Sequence, residues 1–201
     1  MKISFCKINI FISYPLVALL CMSVIASKNT ITVIAVLSAV LHETGHLAVM
    51  RRFSDDEIDV RAGVFELAIC DYSREVSGYR RDITVTCAGP VVNIVLWAVF
   101  FILYKYTMWD TAHNIAMVNI SLGIFNLLPI ETTDGGQLLK IILAKTLSVT
   151  AADRVMLVVS IVFIIPVAVA GFYILLNSAY NYTMLAAVIY FVTALVVRFM
   201  E

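Results

Sequence analysis

Five stretches of this sequence, residues 10–27, 30–50, 83–104, 155–176 and 179–199, are each predominantly apolar over at least 18 residues. About 20 residues of helix cross the roughly 30 Å of hydrocarbon in a bilayer. A sixth stretch, 115–130, is apolar except for Asn119, Ser121 and Asn126. With 62% hydrophobic and 14% charged residues, the chain has too little charge to cover a water-soluble globule, which typically carries about 25%. The expected fold class is an all-α polytopic membrane protein with about six transmembrane helices, forming one membrane-embedded domain over residues 1–201.

Other classes lose ground on simple grounds. The net charge is zero and no basic tract occurs, so no nucleic-acid partner is expected. Cys6, Cys21, Cys70 and Cys87 are widely spaced, which argues against both a disulfide framework and a thiolate metal site. The first apolar stretch also reads as a signal peptide, because Lys2 and Lys7 precede it and Val24-Ile25-Ala26 resembles a cleavage site.

Basic residues orient the spans. With a cytoplasmic N-terminus, the inside set is Lys2, Lys7, Arg51, Arg52, Arg61, Arg74, Arg80, Arg81, Lys140, Lys145, Arg154 and Arg198. Only Lys28 and Lys105 fall outside, which divides the 14 basic residues 12 to 2. If residues 115–130 did not cross, Lys140, Lys145 and Arg154 would join the outside set. Six spans with both termini cytoplasmic is therefore the expected topology. Residues 51–82 form the one substantial polar segment. Polar and apolar residues alternate over 57–62, and the phase changes at Gly63-Val64 so that Phe65, Leu67 and Ile69 form the next apolar set. Two short strands at the cytoplasmic membrane surface, a hairpin over residues 57–71 with a bulge or tight turn at Gly63, fit this pattern. A disordered loop is the alternative.

The chemistry sits near the cytoplasmic end of the second span, in His42-Glu43-Thr44-Gly45-His46. On a helix, residues four apart lie one above the other. His42 and His46 can therefore reach one ion while Glu43 holds a water beside it, the HExxH arrangement of zinc proteases. Ionisable side chains within an apolar helix are expensive in lipid and mark a functional site by default. A structural polar network between helices is the bland alternative. Catalytic zinc usually has three protein ligands. His113 is expected on the opposite membrane face, which leaves Asp134 in the segment 126–136 as the third candidate and Glu131 as its rival. Pro129 breaks that helix and Gly135-Gly136 permits close backbone approach. Broken helix at membrane depth is tolerated where protein or a water-filled cavity satisfies its backbone.

His42–His46 together with Asn126, Pro129, Asp134 and Gly135 resembles the site-2 protease family of intramembrane metalloproteases, whose second motif is Asn-x-x-Pro followed by Asp-Gly. Gly89, Pro90 and Asn93 resemble the family's Gly-Pro-x-x-Asn. The compact layout is most similar to the bacterial branch that includes a sporulation protease acting on a pro-sigma factor. The resemblance implies a Zn2+ enzyme in the bacterial plasma membrane, with a catalytic core over about residues 30–147 and flanking helices at 10–27, 155–176 and 179–199. It implies His42, His46 and Asp134 as metal ligands, Glu43 as base, Asn126 as a catalytic donor toward the oxyanion and Asn93 as a substrate contact. Thr133 stands where the family commonly has Leu, and Glu131-Thr132 replaces an apolar or Pro-containing stretch. The family's PDZ and nucleotide-sensing modules have no expected counterpart among these residues.

The activity so implied is cleavage of membrane-associated proteins within or near their transmembrane segments. Glu43 would take a proton from water and pass it to the leaving amine, and the substrate would be held extended against a sheet edge in residues 57–71. The expected partners are a membrane-protein substrate and the lipid bilayer, with a membrane regulator or a second copy of the chain as further candidates. Two other functions compete: an ion-binding transporter, and an inactive scaffold of the same family. The topology is directly testable. Reporters fused after Arg52, Lys145 or Glu201 are expected to read cytoplasmic, and those at Asn29, Trp109 or Asn177 external. An external reading at Lys145 would mean that residues 115–130 do not cross.

Overall fold

The computed structural model describes residues 2–5, 8–14, 18, 21, 22, 25, 29–53, 58–62, 67–71, 78–178 and 183–200. They fall into two compact units, Met1–Ile124 and Phe125–Glu201.

The first unit holds strands β1 (Lys2–Phe5) and β2 (Ile8–Ile12), helix α1 (Thr30–Phe53), strands β3 (Ile58–Ala62) and β4 (Leu67–Asp71), helix α2 (Tyr79–Thr107) and most of α3 (Asp110–Asn126). The strands form one sheet in the order β1-β2-β3-β4. Antiparallel pairing joins β1 to β2 and β3 to β4, with Ile58 opposite Asp71, while β2 runs parallel to β3 with Ile8 opposite Ile58. This corrects the start of the first expected span. Ile10, Phe11 and Ile12 belong to a strand, not to a helix beginning at residue 10. Isoleucines at 8, 10 and 12 suit extended backbone, where a branched Cβ is easily accommodated, and β2 has a ladder partner on both sides. Most of residues 13–27, and the bulge expected at Gly63, lie outside the described residues.

Helix α1 packs along α2 at small residues. A Cβ placed on Gly45 would stand 2.7 Å from Val92 Cγ2 and 3.0 Å from the Ala88 carbonyl oxygen. Small residues let helix backbones approach in this way where lipid supplies no hydrophobic drive. Pro90 lies inside α2, where it removes one N–H from the helical ladder. Met108 closes α2 in the left-handed region, φ 52°, and donates its N–H to the Tyr104 carbonyl at 2.8 Å. Helix α3 is tied to α1 by a buried hydrogen bond from Asn119 Nδ2 to Ser38 Oγ, 3.0 Å.

The second unit contains the break after α3 and then α4 (Asp134–Leu143), α5 (Val149–Ser178) and α6 (Thr183–Met200). Its core is Ile130, Ile164, Val188 and Phe191, with Phe125 stacked on Phe191 at 5.3 Å between ring centroids. Among the described residues, three helices (α1, α2 and α5) are long and apolar enough to cross a membrane. Six such helices were expected. Helix α3 is shorter, at 17 residues, and ends ahead of Pro129, which cannot continue it.

Candidate metal centre

The two histidines of α1 are buried although the helix around them is largely apolar, His42 being 4% and His46 7% exposed. Their spacing stacks them on one face, and each ring is held by α2. His46 Nδ1 lies 2.8 Å from the Val85 carbonyl oxygen, to which it donates. His42 Nδ1 lies 2.9 Å from Asn93 Nδ2. With both Nδ1 atoms engaged, the Nε2 atoms turn toward each other, 3.2 Å apart. Beneath them is Gly89. A Cβ there would stand 2.6 Å from His42 Nε2 and collide with His46 Nε2. Only glycine leaves room for both rings. Glu43, one residue after His42, is half-buried.

Asp134 is placed by local chain chemistry in the second unit. Pro129 ends the preceding helix, and a short set of turns follows, with Ile130 N donating to Leu128 O at 2.8 Å and Thr133 N to Ile130 O at 2.9 Å. Thr133 then caps α4, its hydroxyl donating to Ile130 O at 2.8 Å and accepting from Gly136 N at 3.4 Å. A Cβ on Gly135 or Gly136 would overlap the carbonyls of Leu127 or Ile130, so this cap closes only with glycine. Asp134 is the first residue of the capped helix.

One ligand atom from each of His42, His46 and Asp134 lies within 4.8 Å of the others. Two imidazoles and a carboxylate, with one position left over, is the donor set of catalytic zinc. The fit extends outward, since a ligating imidazole donates its second N–H to a neighbour: the Val85 carbonyl accepts from His46 Nδ1, and the Asn93 carboxamide lies against His42 Nδ1. These residues fit zinc, and His42, His46 and Asp134 form a candidate site for it.

The remaining residues named from the sequence fall elsewhere. Glu131, the rival ligand, is directed to Lys140 at 3.5 Å, and Lys140 also meets Asp153 at 2.6 Å. The Glu131 backbone N–H donates to Ser160 Oγ at 3.0 Å. A lysine therefore stands beside the unusual carboxylate of this segment. His113 packs against Tyr104, 4.8 Å between ring centroids. Asn126 is the last residue of α3 and half-buried. Asn93 is fully enclosed and faces His42 rather than an open surface. The Val85 carbonyl and the clearance at Gly89 were not foreseen. The first is a backbone group without a side-chain signature. The second had a signal, since Val85, Gly89 and Asn93 are spaced four apart and share one face of α2.

The structure superposes on a site-2 protease from Methanocaldococcus jannaschii with a TM-score of 0.63 and 18% sequence identity, covering 95% of this chain and 92% of that one. The chain has the fold of a site-2 protease. Its family resemblance is to peptidase family M50, whose model matches residues 104–169. A zinc metalloprotease of the same archaeon is 27% identical over 114 residues, which is 54% of this chain. The chain spans about a third of that relative's length, 32%.

The ligand assignment separates two neighbouring carboxylates. Asp134→Asn is expected to lower the zinc content of purified protein well below that of the wild type, measured by atomic emission. Glu131→Gln is expected to leave it unchanged, and the reverse result would reassign the third ligand.

Proposed function

We propose that this chain is an intramembrane zinc metalloprotease that hydrolyses peptide bonds of membrane proteins within or beside their transmembrane segments. The observation that carries this reading is the convergence of two buried Nε2 atoms in an apolar helix, with a glutamate next in sequence and an aspartate carboxylate completing the donor set. The likeness to a site-2 protease fold and to family M50 supports it.

His42, His46 and Asp134 would hold a zinc ion, which when bound would supply Lewis acidity toward a peptide carbonyl and toward water at neutral pH. Glu43 accepts the proton that this water loses and delivers it to the departing amine. Asn126 offers an amide donor to the carbonyl oxygen as negative charge develops there. The apolar faces of α1 and α2 keep bulk water away, so each polar contact within acts at lower dielectric.

A scissile bond inside a helix is hidden by its own hydrogen bonds, so the substrate must be unwound. Strand β4 is an edge of the four-stranded sheet, and an edge can take up an extended segment by main-chain pairing. The reading places the protein in the plasma membrane as a multi-pass chain with both termini cytoplasmic. That placement rests on the 12-to-2 division of basic residues and the apolar helices.

The catalytic role of Glu43 separates a protease from an ion carrier. Glu43→Gln is expected to keep zinc at the wild-type level and to lower cleavage of a reconstituted membrane substrate by 100-fold or more, the usual scale for general-base loss. Full proteolysis by this variant would contradict the mechanism. Absence of cleavage in the wild type together with zinc or proton flux into vesicles would favour a transporter.

A further inference from the structure

The buried face of α3 is built from small residues with one exception. Ala112, Ala116 and Gly123 lie on it, and among them stands Asn119, 0% exposed. A carboxamide has a donating and an accepting end, and both need partners when buried. Asn119 Nδ2 donates to Ser38 Oγ on α1 at 3.0 Å and to the Ile115 carbonyl at 2.9 Å. Asn119 Oδ1 is buried and has no hydrogen-bond partner among the described residues.

Asn93 on α2 is in the same position. Its side chain is fully buried, its Nδ2 lies 2.9 Å from His42 Nδ1, and its Oδ1 likewise has no partner among the described residues. The two carboxamides are neighbours. A Cβ on Gly123, one turn after Asn119, would stand 3.4 Å from Asn93 Cβ. On α1, buried Ser38 stands one turn before His42. Ser38–Asn119 and His42–Asn93 are therefore successive rungs across the same three helices. One helical turn rises about 5.4 Å. That is too long for a direct hydrogen bond, yet about twice the usual 2.8 Å of an O–H···O contact, so a single bridging atom spans it.

The bridging group must bring two donors, because both ends it meets are oxygens. It must also be small, because Gly123 already abuts Asn93. Water meets both conditions. The Ser38 hydroxyl, which accepts from Asn119 Nδ2, retains a hydrogen with which to give that water a third bond, the usual number for a buried water. Water also serves if the Asn93 carboxamide is turned over, since it can accept from an N–H as readily as it donates to an oxygen. A cation could not.

We infer that one water molecule is bound between Asn93 and Asn119, and that through it Asn119 is a positioning residue for Asn93 against His42. This water sits at the end of Asn93 turned away from the ring, so it is distinct from the water that a bound metal would activate. The line Ser38–Asn119–water–Asn93–His42 ties α3 to the histidine that α2 already holds. The water site stands independently of the metal reading proposed above, and the positioning role rests on it.

The test is a crystal structure of the full chain grown from a lipidic mesophase, at a resolution that shows ordered water, with and without a rubidium soak. Zinc affinity is measured alongside against a competing chelator. The wild type is expected to show one peak within hydrogen-bond distance of both carboxamides and no anomalous rubidium signal there. Asn119→Leu is expected to lose the peak and to bind zinc about tenfold more weakly, the lower end of the range for loss of a group behind a metal ligand. Asn119→Ser leaves space for a second water that takes over the carboxamide's bonds, and is expected to keep the wild-type affinity, which a purely space-filling role would not allow. Direct contact between the two carboxamides, a rubidium signal between them, or wild-type zinc affinity in Asn119→Leu would overturn the proposal. The wild-type map decides the water site even where Asn119→Leu fails to fold. A chain that shows the peak but binds no zinc would keep the water site and remove the positioning role together with the metal reading. Zinc binding without the peak would remove this proposal and leave the metal reading intact.

Discussion

An imidazole has two nitrogens, and only one of them can face a shared ion. Every other feature of this centre follows from how the second is held. In a soluble protein water could take it. In an apolar helix a neighbouring helix must, because an unpaired polar group in such surroundings costs several kcal/mol. Here α2 meets that need with the Val85 carbonyl and Asn93, and it can come close enough only because Gly45 and Gly89 carry no side chain. The close packing of α1 on α2 is thus a condition of the chemistry as well as of the fold.

The second condition is a backbone that leaves the helix at a chosen place. Pro129 ends α3 by removing a donor, and Thr133 restarts a helix by satisfying the Gly136 N–H and the Ile130 carbonyl. Asp134 is the first residue after that restart, so its carboxylate is set by a cap rather than by a flexible loop. Nearby, Glu131 meets Lys140, which also meets Asp153. A departure from the family pattern that adds a carboxylate is accompanied by a lysine on the next helix.

Much of the site was legible in the sequence because its parts are local. The four-residue interval between His42 and His46 needs only helical periodicity, and the break between Asn126 and Asp134 needs only the covalent chemistry of proline and glycine. The parts that escaped depend on distant partners. Ile8–Ile12 was read partly as membrane helix because an isoleucine-rich run is apolar at either period. What makes it a strand is β3, some fifty residues further on. The Lys140 pairing likewise lies across a turn and a helix. Asn93 was singled out, yet its burial against His42 could not be read from a motif. The expected span 83–104 became the longer α2, Tyr79–Thr107, because a helix continues past the apolar run that identifies it.

The central claim is that two imidazoles and a carboxylate in this chain hold a single zinc ion. X-ray absorption at the zinc edge of the purified protein measures that first shell directly. The account predicts one zinc per chain with only nitrogen and oxygen neighbours at about 2.0–2.2 Å and the outer scattering of two imidazole rings, reduced to one ring in His46→Ala. A sulfur neighbour at about 2.3 Å, or a shell without imidazole, would contradict it.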